Sequence, residues 1–129
     1  MDHRFSVRVY YEDTDMGGIV YHANFLKFIE RARSDWVAQM GMDQMAMRDD
    51  EGIVFVVRRI TADFIKPARY GEDLDVRTAL ASVTPARMVM EQVVLRGEER
   101  LFTAEVTAVC MTLEGRPTRL PKAIRMLMP

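Results

Sequence analysis

One cysteine in 129 residues, Cys110, rules out an internal disulfide and any structural zinc site built on cysteine. Histidine is almost as scarce, with only His3 and His22, so a histidine-rich metal centre is excluded too. No excess of positive charge exists either. A formal net charge of -1 leaves nothing to neutralise a phosphate backbone, and nucleic acid is not an expected partner. Lysine is the rarer cation, 3 residues against 15 arginines, and arginine is the better fork for phosphate groups. No apolar run approaches the ~20 residues of a membrane span. The charged start, Asp2-His3-Arg4, leads straight into an alternating segment instead of a signal peptide. A cytoplasmic chain without direct membrane insertion is therefore expected. What remains, 49% hydrophobic and 29% charged residues, is the balance of one folded domain over residues 1–129.

Phe5, Val7, Val9 and Tyr11 alternate with polar neighbours, the period of a half-buried strand. Asp13 to Gly18 then gathers small polar residues and two adjacent glycines, which reads as a tight loop. From Phe25 the period changes. Phe25, Phe28, Ile29, Ala32, Trp36, Val37 and Met40 form one apolar stripe on a helix of about four turns. Asn24 is its expected N-cap and Gly41 its stop, with Arg31 and Asp35 paired at i,i+4 on the polar face. Met40 to Met47 reads as pliable core or pocket edge. After Gly52 the chain reads as strands: Ile53 to Phe64, a stretch around Leu74 to Leu80, another from Met88 to Val94, and Leu101 to Leu113. The last is apolar on both faces at its middle, as in a central strand or one covered by a partner. Short turns between these strands favour antiparallel meander connections. The fold class is α+β, a five-stranded antiparallel sheet curled round one long helix. Such a sheet has one face spare, and a homodimer or homotetramer is expected.

Reactive residue types concentrate between Asp13 and Asn24, in the loop joining the first strand to the long helix: Asp13, Asp15, Gly17, Gly18, Tyr21, His22 and Asn24. A helix N-terminus offers unpaired N–H groups to an oxygen that becomes negative, and a nearby carboxylate can attack a carbonyl or draw a proton from water. The same letters also fit a plain turn with a capping histidine. Sharper motifs fail. Asp13-x-Asp15-x-x-Gly18 opens like an EF-hand loop, but its twelfth position is Asn24 where a bidentate Glu is required. A phosphoryl-transferring aspartate would need parallel strands alternating with helices, and neither a Walker loop nor Gly-x-Ser-x-Gly occurs.

The run Arg8-Val-Tyr-Tyr-Glu-Asp-Thr-Asp-Met-Gly-Gly-Ile-Val-Tyr-His22, with Asn24-Phe25 and Glu30-Arg-Ala-Arg33 after it, closely resembles the hotdog-fold acyl-CoA thioesterases of the 4-hydroxybenzoyl-CoA thioesterase type. Within them it is most similar to the bacterial branch associated with the Tol–Pal system. The resemblance extends through Pro67 and the Gly71-Glu-Asp-Leu74 turn. It implies hydrolysis of acyl-CoA, or of acyl-carrier-protein thioesters, with Asp15 as nucleophile or general base. It implies that the backbone N–H at His22 faces the thioester carbonyl, and that the imidazole helps orient water. Gly18, Val20 and Tyr21 would shape the acyl pocket by position. The coenzyme phosphate contacts lie outside the matching motif, and Arg87, before an alternating strand, is the candidate for them. It implies no metal and no bound cofactor, coenzyme A being part of the substrate, and any approach to the inner membrane would go through protein partners. A non-catalytic hotdog adaptor is the alternative, and retention of Asp15 in a complete motif favours the enzyme.

Overall fold

The long helix and the sheet explain one another. In the computed structural model, which describes residues 2–127, helix α1 (His22–Gln39) buries Phe25, Phe28, Ile29, Ala32, Trp36 and Val37, the stripe read from the 3.6-residue period. Gly41 follows it at φ +83°, a conformation that costs a residue with a Cβ, and the helix stops there. The stripe lies on the concave face of an antiparallel sheet of five long strands: β1 (Asp2–Arg8), β2 (Ile53–Phe64), β3 (Asp73–Val83), β4 (Met88–Arg96) and β5 (Glu99–Thr112). A two-residue β6 (Pro117–Thr118) adds a sixth beside β5. Every second residue points inward. Phe5, Val76, Val94 and Phe102 occupy one core row across β1, β3, β4 and β5, as their register requires.

The strand order is β1-β3-β4-β5-β2. Only β3, β4 and β5 form the expected meander. β2 crosses to the far edge to pair with β5, and segment 65–72 carries the chain back across to β3. β5 lies between β4 and β2; its inner face is buried at Val106, Ala108 and Cys110, while Thr107, Val109 and Met111 on the other face are half-buried. The apolar run Ile53 to Val57 has β5 on one side and no other strand partner among the described residues.

Local expectations need two corrections. The helix starts at His22 with Tyr21 as N-cap, and the Asn24 side chain instead donates from Nδ2 to the carbonyl of Asp13 at 2.9 Å. Asp35 does not pair with Arg31. It takes the Nε2 of His3 at 2.7 Å, and Arg31 lies over the Phe28 ring, 5.9 Å from its centroid. His3 is therefore a buried residue on the inner face of β1. The exit closes with a short helical turn, Lys122–Arg125, and of the Met126-Leu127-Met128 tail the first two residues form no strand. Met128 lies outside the described residues. The Met-rich segment folds as short helical turns with Met47 buried and Met40 and Met42 packed on the core, as expected, while Met45 is exposed.

Candidate active site

The loop between β1 and α1 is built from two aspartates in opposite environments. Asp13 is 7% exposed. Its Oδ2 accepts the N–H of Tyr10 at 2.9 Å, and its carbonyl accepts both the N–H of Tyr21 and the side chain of Asn24. All three bonds tie the loop to itself and to the start of α1, so Asp13 is structural. Asp15, two residues on, is exposed. Its Oδ1 accepts the N–H of Gly17 at 2.8 Å, its carbonyl accepts from Gly18, and its own N–H donates to the carbonyl of Ile19. The other oxygen, Oδ2, has no partner among the described residues.

Both glycines are needed where they stand. Gly18 turns the loop at φ +77°. A Cβ on Gly17 would lie 3.2 Å from Oδ1 of Asp15 and would crowd the carboxylate. Backing comes from the 65–72 crossover: Val20 donates its N–H to the carbonyl of Ala68 at 2.8 Å, and Ile19 bridges to Arg69. That crossover is itself pinned. Arg96 holds Glu72 at 2.9 Å and Glu99 at 2.6 Å, Lys66 holds Glu99 at 2.8 Å, and these cations keep the Glu99 carboxyl below its ordinary range.

α1 begins immediately after. The N–H of Asn24 returns to the carbonyl of Tyr21, but those of His22 and Ala23 have no acceptor inside the helix, and no side chain caps this end. The result is a pair of free N–H donors at the positive end of a five-turn helix, reached by the loop that carries Asp15. The His22 ring is exposed, 4.6 Å from that of Tyr21 and 5.9 Å from that of Phe64 between centroids. Beneath it Phe25, Phe64 and Phe102 pack together, the first and last stacked at 5.1 Å. Phe64 escaped the sequence reading because nothing in an alternating strand marks which inward residue ends beside a helix terminus.

Of the residues expected to serve the site, Asp15, Gly18, Tyr21 and His22 lie on one loop and the helix end it leads into. Two do not join them. Val20 is 3% exposed and belongs to the core, so it backs the loop from below. Arg87 sits in the turn between β3 and β4. The crossover behind the Asp15 loop enters β3 at Asp73, and the 11 residues to Val83 place Arg87 about 30 Å away along the strand. Within one protomer Arg87 and Asp15 cannot meet the same part of a small substrate. Among the described residues no cluster of three His, Cys, Asp or Glu is placed to hold a metal ion.

An antiparallel sheet wrapped on one long helix, with an acidic loop facing the helix N-terminus, defines the hotdog class of α+β proteins. Comparison with known proteins makes the class specific. The model of the thioesterase-like superfamily matches residues 9–126, and the chain belongs to that family. It is 41% identical over 123 residues to the acyl-CoA thioester hydrolase YbgC of Escherichia coli O6:H1, covering 94% of this chain and 91% of the relative. Among solved structures, a probable thioesterase from Bartonella henselae superposes with a TM-score of 0.90 at 40% identity, over 94% of this chain and 100% of the other. A 1,4-dihydroxy-2-naphthoyl-CoA thioesterase from Synechocystis gives 0.89 over the whole of both chains, and at 24% identity it speaks for the fold alone.

Proposed function

We propose that this chain hydrolyses acyl-CoA thioesters to free acid and thiol. The observation that carries the reading is the exposed Asp15 carboxylate, one oxygen free, in the loop that leads into the uncapped start of α1 at His22 and Ala23. A thioester carbonyl is little stabilised by its sulfur, and its thiolate leaves readily, so one carboxylate and an oxyanion donor suffice. As general base, Asp15 takes a proton from water while the water oxygen bonds to the carbonyl carbon. The carbonyl oxygen becomes negative against the helix-end N–H groups. Collapse breaks the C–S bond, and the thiolate leaves with the pair of electrons. As nucleophile, Asp15 itself bonds to that carbon, expels the thiolate and forms an anhydride that water then opens. A single turnover in 18O-labelled water bears on the routes, since label enters Asp15 only by the second, when water opens the anhydride at the Asp15 carbonyl.

Tyr21 and Gly18 border the scissile bond in this reading, and Val20 holds the loop for them. A role for Arg87 on the coenzyme phosphates requires a second copy, whose Arg87 would have to reach this protomer's site. The 12-residue β2 edge is the place for that copy, with Leu26, Val57, Ile60 and Phe64 exposed beside it. We infer a homodimer joined there, or a tetramer of two such dimers. No helix among the described residues is long and apolar enough to cross a membrane. A cytoplasmic protein reaching the inner membrane only through protein partners fits the reading, as does turnover without metal or cofactor.

Thiol release from a panel of acyl-CoA and acyl-carrier-protein thioesters, with light scattering on the same sample, tests all of this. Turnover resistant to chelators in a dimer or tetramer is expected. A fully active monomer would remove the second copy from the site, and absence of turnover across the panel would leave a non-catalytic binding protein.

A further inference from the structure

The crossover 65–72 has neither helix nor long strand to hold it, yet it stands behind the Asp15 loop. At its start, the N–H groups of Ile65 and Lys66 both donate to the carbonyl of Leu101, at 2.8 and 3.1 Å. In its middle, Ala68 accepts the N–H of Val20, and Arg69 bridges to Ile19, whose carbonyl takes the N–H of Asp15 at 2.9 Å. Irregular backbone of this kind keeps one position only where side chains fix it.

Arg96, the last residue of β4, does the fixing. Its Nη1 donates to the carbonyl of Pro67 at 3.2 Å and to both carboxylate oxygens of Glu72, at 2.9 and 3.1 Å. Its Nε and Nη2 donate to Oε1 of Glu99, at 3.0 and 2.6 Å. Arg96 thus grips the crossover at Pro67 and at Glu72, on either side of the two residues that back the loop. Oε1 of Glu72 also accepts the N–H of Arg69 at 2.6 Å. A continuous path results: guanidinium to Glu72, Glu72 to the N–H of Arg69, Arg69 to Ile19, and the Ile19 carbonyl to the N–H of Asp15. The side chains of Arg96 and Glu72 are only 28% and 27% exposed, so salt screens this pair less than one on the open surface. Donation in three directions from one rigid plane is a property of arginine that lysine lacks.

Resting on the reading of Asp15 as the carboxylate that acts on the thioester, we propose that Arg96 is a positioning residue for the reaction. It acts through Asp15, without a contact of its own to the reacting atoms, by fixing the crossover against which the loop is seated. Displacing a reacting group by about 1 Å costs up to ~100-fold in rate, so a loosened crossover is felt in turnover before it is felt in binding.

The test is a double-mutant cycle on thiol release from acyl-CoA, with melting curves to show that each variant is folded at the assay temperature. Arg96→Met should lower kcat about 10-fold or more and leave KM within about twofold, and Arg96→Lys should recover part of the loss. In the Asp15→Asn background the same Arg96→Met change should cost less than about twofold, because the group it positions is already gone. A role in general stability would lower activity equally in both backgrounds. Should Arg96→Met fail to fold, Arg96→Lys and Glu72→Gln run the same cycle, the second keeping an acceptor for the Arg69 N–H while removing the charge that Arg96 holds. Unchanged kcat in a folded Arg96→Met, or an equal loss with and without Asp15, overturns the proposal and leaves Asp15 standing. Full turnover in Asp15→Asn is the distinct failure: it removes the catalytic reading of Asp15, and the positioning role with it.

Discussion

Replacing Asp15 by Asn separates chemistry from loop structure, because the geometry keeps the two on different atoms. Oδ1 of Asp15 carries the turn by accepting the Gly17 N–H at 2.8 Å, and an asparagine carbonyl can accept the same bond. The side chain is exposed, so the change releases no buried charge. Folding stability should move by no more than about 0.5 kcal/mol. Catalysis has no such substitute, since the amide is neither a base nor a nucleophile. A loss of at least ~100-fold in turnover is expected, about 2.7 kcal/mol of barrier. Thiol release measured with a chromogenic disulfide reports the loss of turnover, and thermal melting the change in stability. Asp13→Asn is the control for loop charge and should cost far less, as the acceptor for the Tyr10 N–H is retained. Asp13→Ala removes that acceptor from a buried site and should cost about 1–3 kcal/mol of stability. His22→Ala should fall between the two aspartate-to-asparagine variants in activity, because its backbone N–H survives. Near wild-type turnover in Asp15→Asn together with a dead Asp13→Asn would mean that the wrong carboxylate has been named. If both stay active, the loop is structural only.

Gly17→Ala should leave the melting temperature nearly unchanged, since its φ is not in the left-handed region, yet lower turnover about 10-fold by pressing a methyl group to 3.2 Å from Oδ1 of Asp15. Steady-state kinetics beside a melting curve checks the pair. Cys110 is buried, and burial pushes its thiol up to about 11. It should resist alkylation at pH 8 until the protein is unfolded. Because the folded value is raised, its contribution to stability is complete below the unfolded value of about 8.5 and is lost as pH climbs to about 11, which denaturation midpoints across that window will show. Gln92→Leu strips partners from Arg33 and Thr78 inside the core and should cost about 2–4 kcal/mol by chemical denaturation.

What the sequence shows clearly is whatever depends on neighbours in the chain. The helical stripe from Phe25 to Val37, the stop at Gly41 and the turns at Thr84 and Gly97 are all local, and all stand in the structure. Failures began where the partner was distant. His3 and Asp35 are 32 residues apart, so the i,i+4 rule awarded Asp35 to Arg31. β2 lies at an edge because β5 pairs with it across 38 to 59 residues, which strand periodicity does not reveal. Val20 and Tyr21 are adjacent letters in the motif, yet one faces the core and the other is 47% exposed. Arg33 was read only as part of a motif, because nothing local tells a cation that meets an amide from one that meets a carboxylate.

The unguarded start of α1 is the feature that most clearly exchanges stability for chemistry. Tyr21 occupies the N-cap without making a cap bond, and the carbonyl of Asp13 holds the Tyr21 N–H in place of any side chain. Ser, Thr, Asp or Asn at an N-cap stabilises a helix by about 0.5–2 kcal/mol relative to Ala, by accepting the second or third N–H. Here the second belongs to Ala23, adjacent to the His22 N–H assigned to the oxyanion. Tyr21→Asp should therefore raise stability relative to Tyr21→Ala by about 1 kcal/mol, since both lack the ring and only one can cap. It should also turn over more slowly than Tyr21→Ala, by 10-fold or more, because the new carboxylate takes up a donor and sets a negative charge against the developing oxyanion. Melting curves and thiol release on the two variants measure both differences at once. If Tyr21→Asp is the more stable and at least as active, the helix-end N–H groups stabilise no charge in the reaction, and the oxyanion must be held elsewhere.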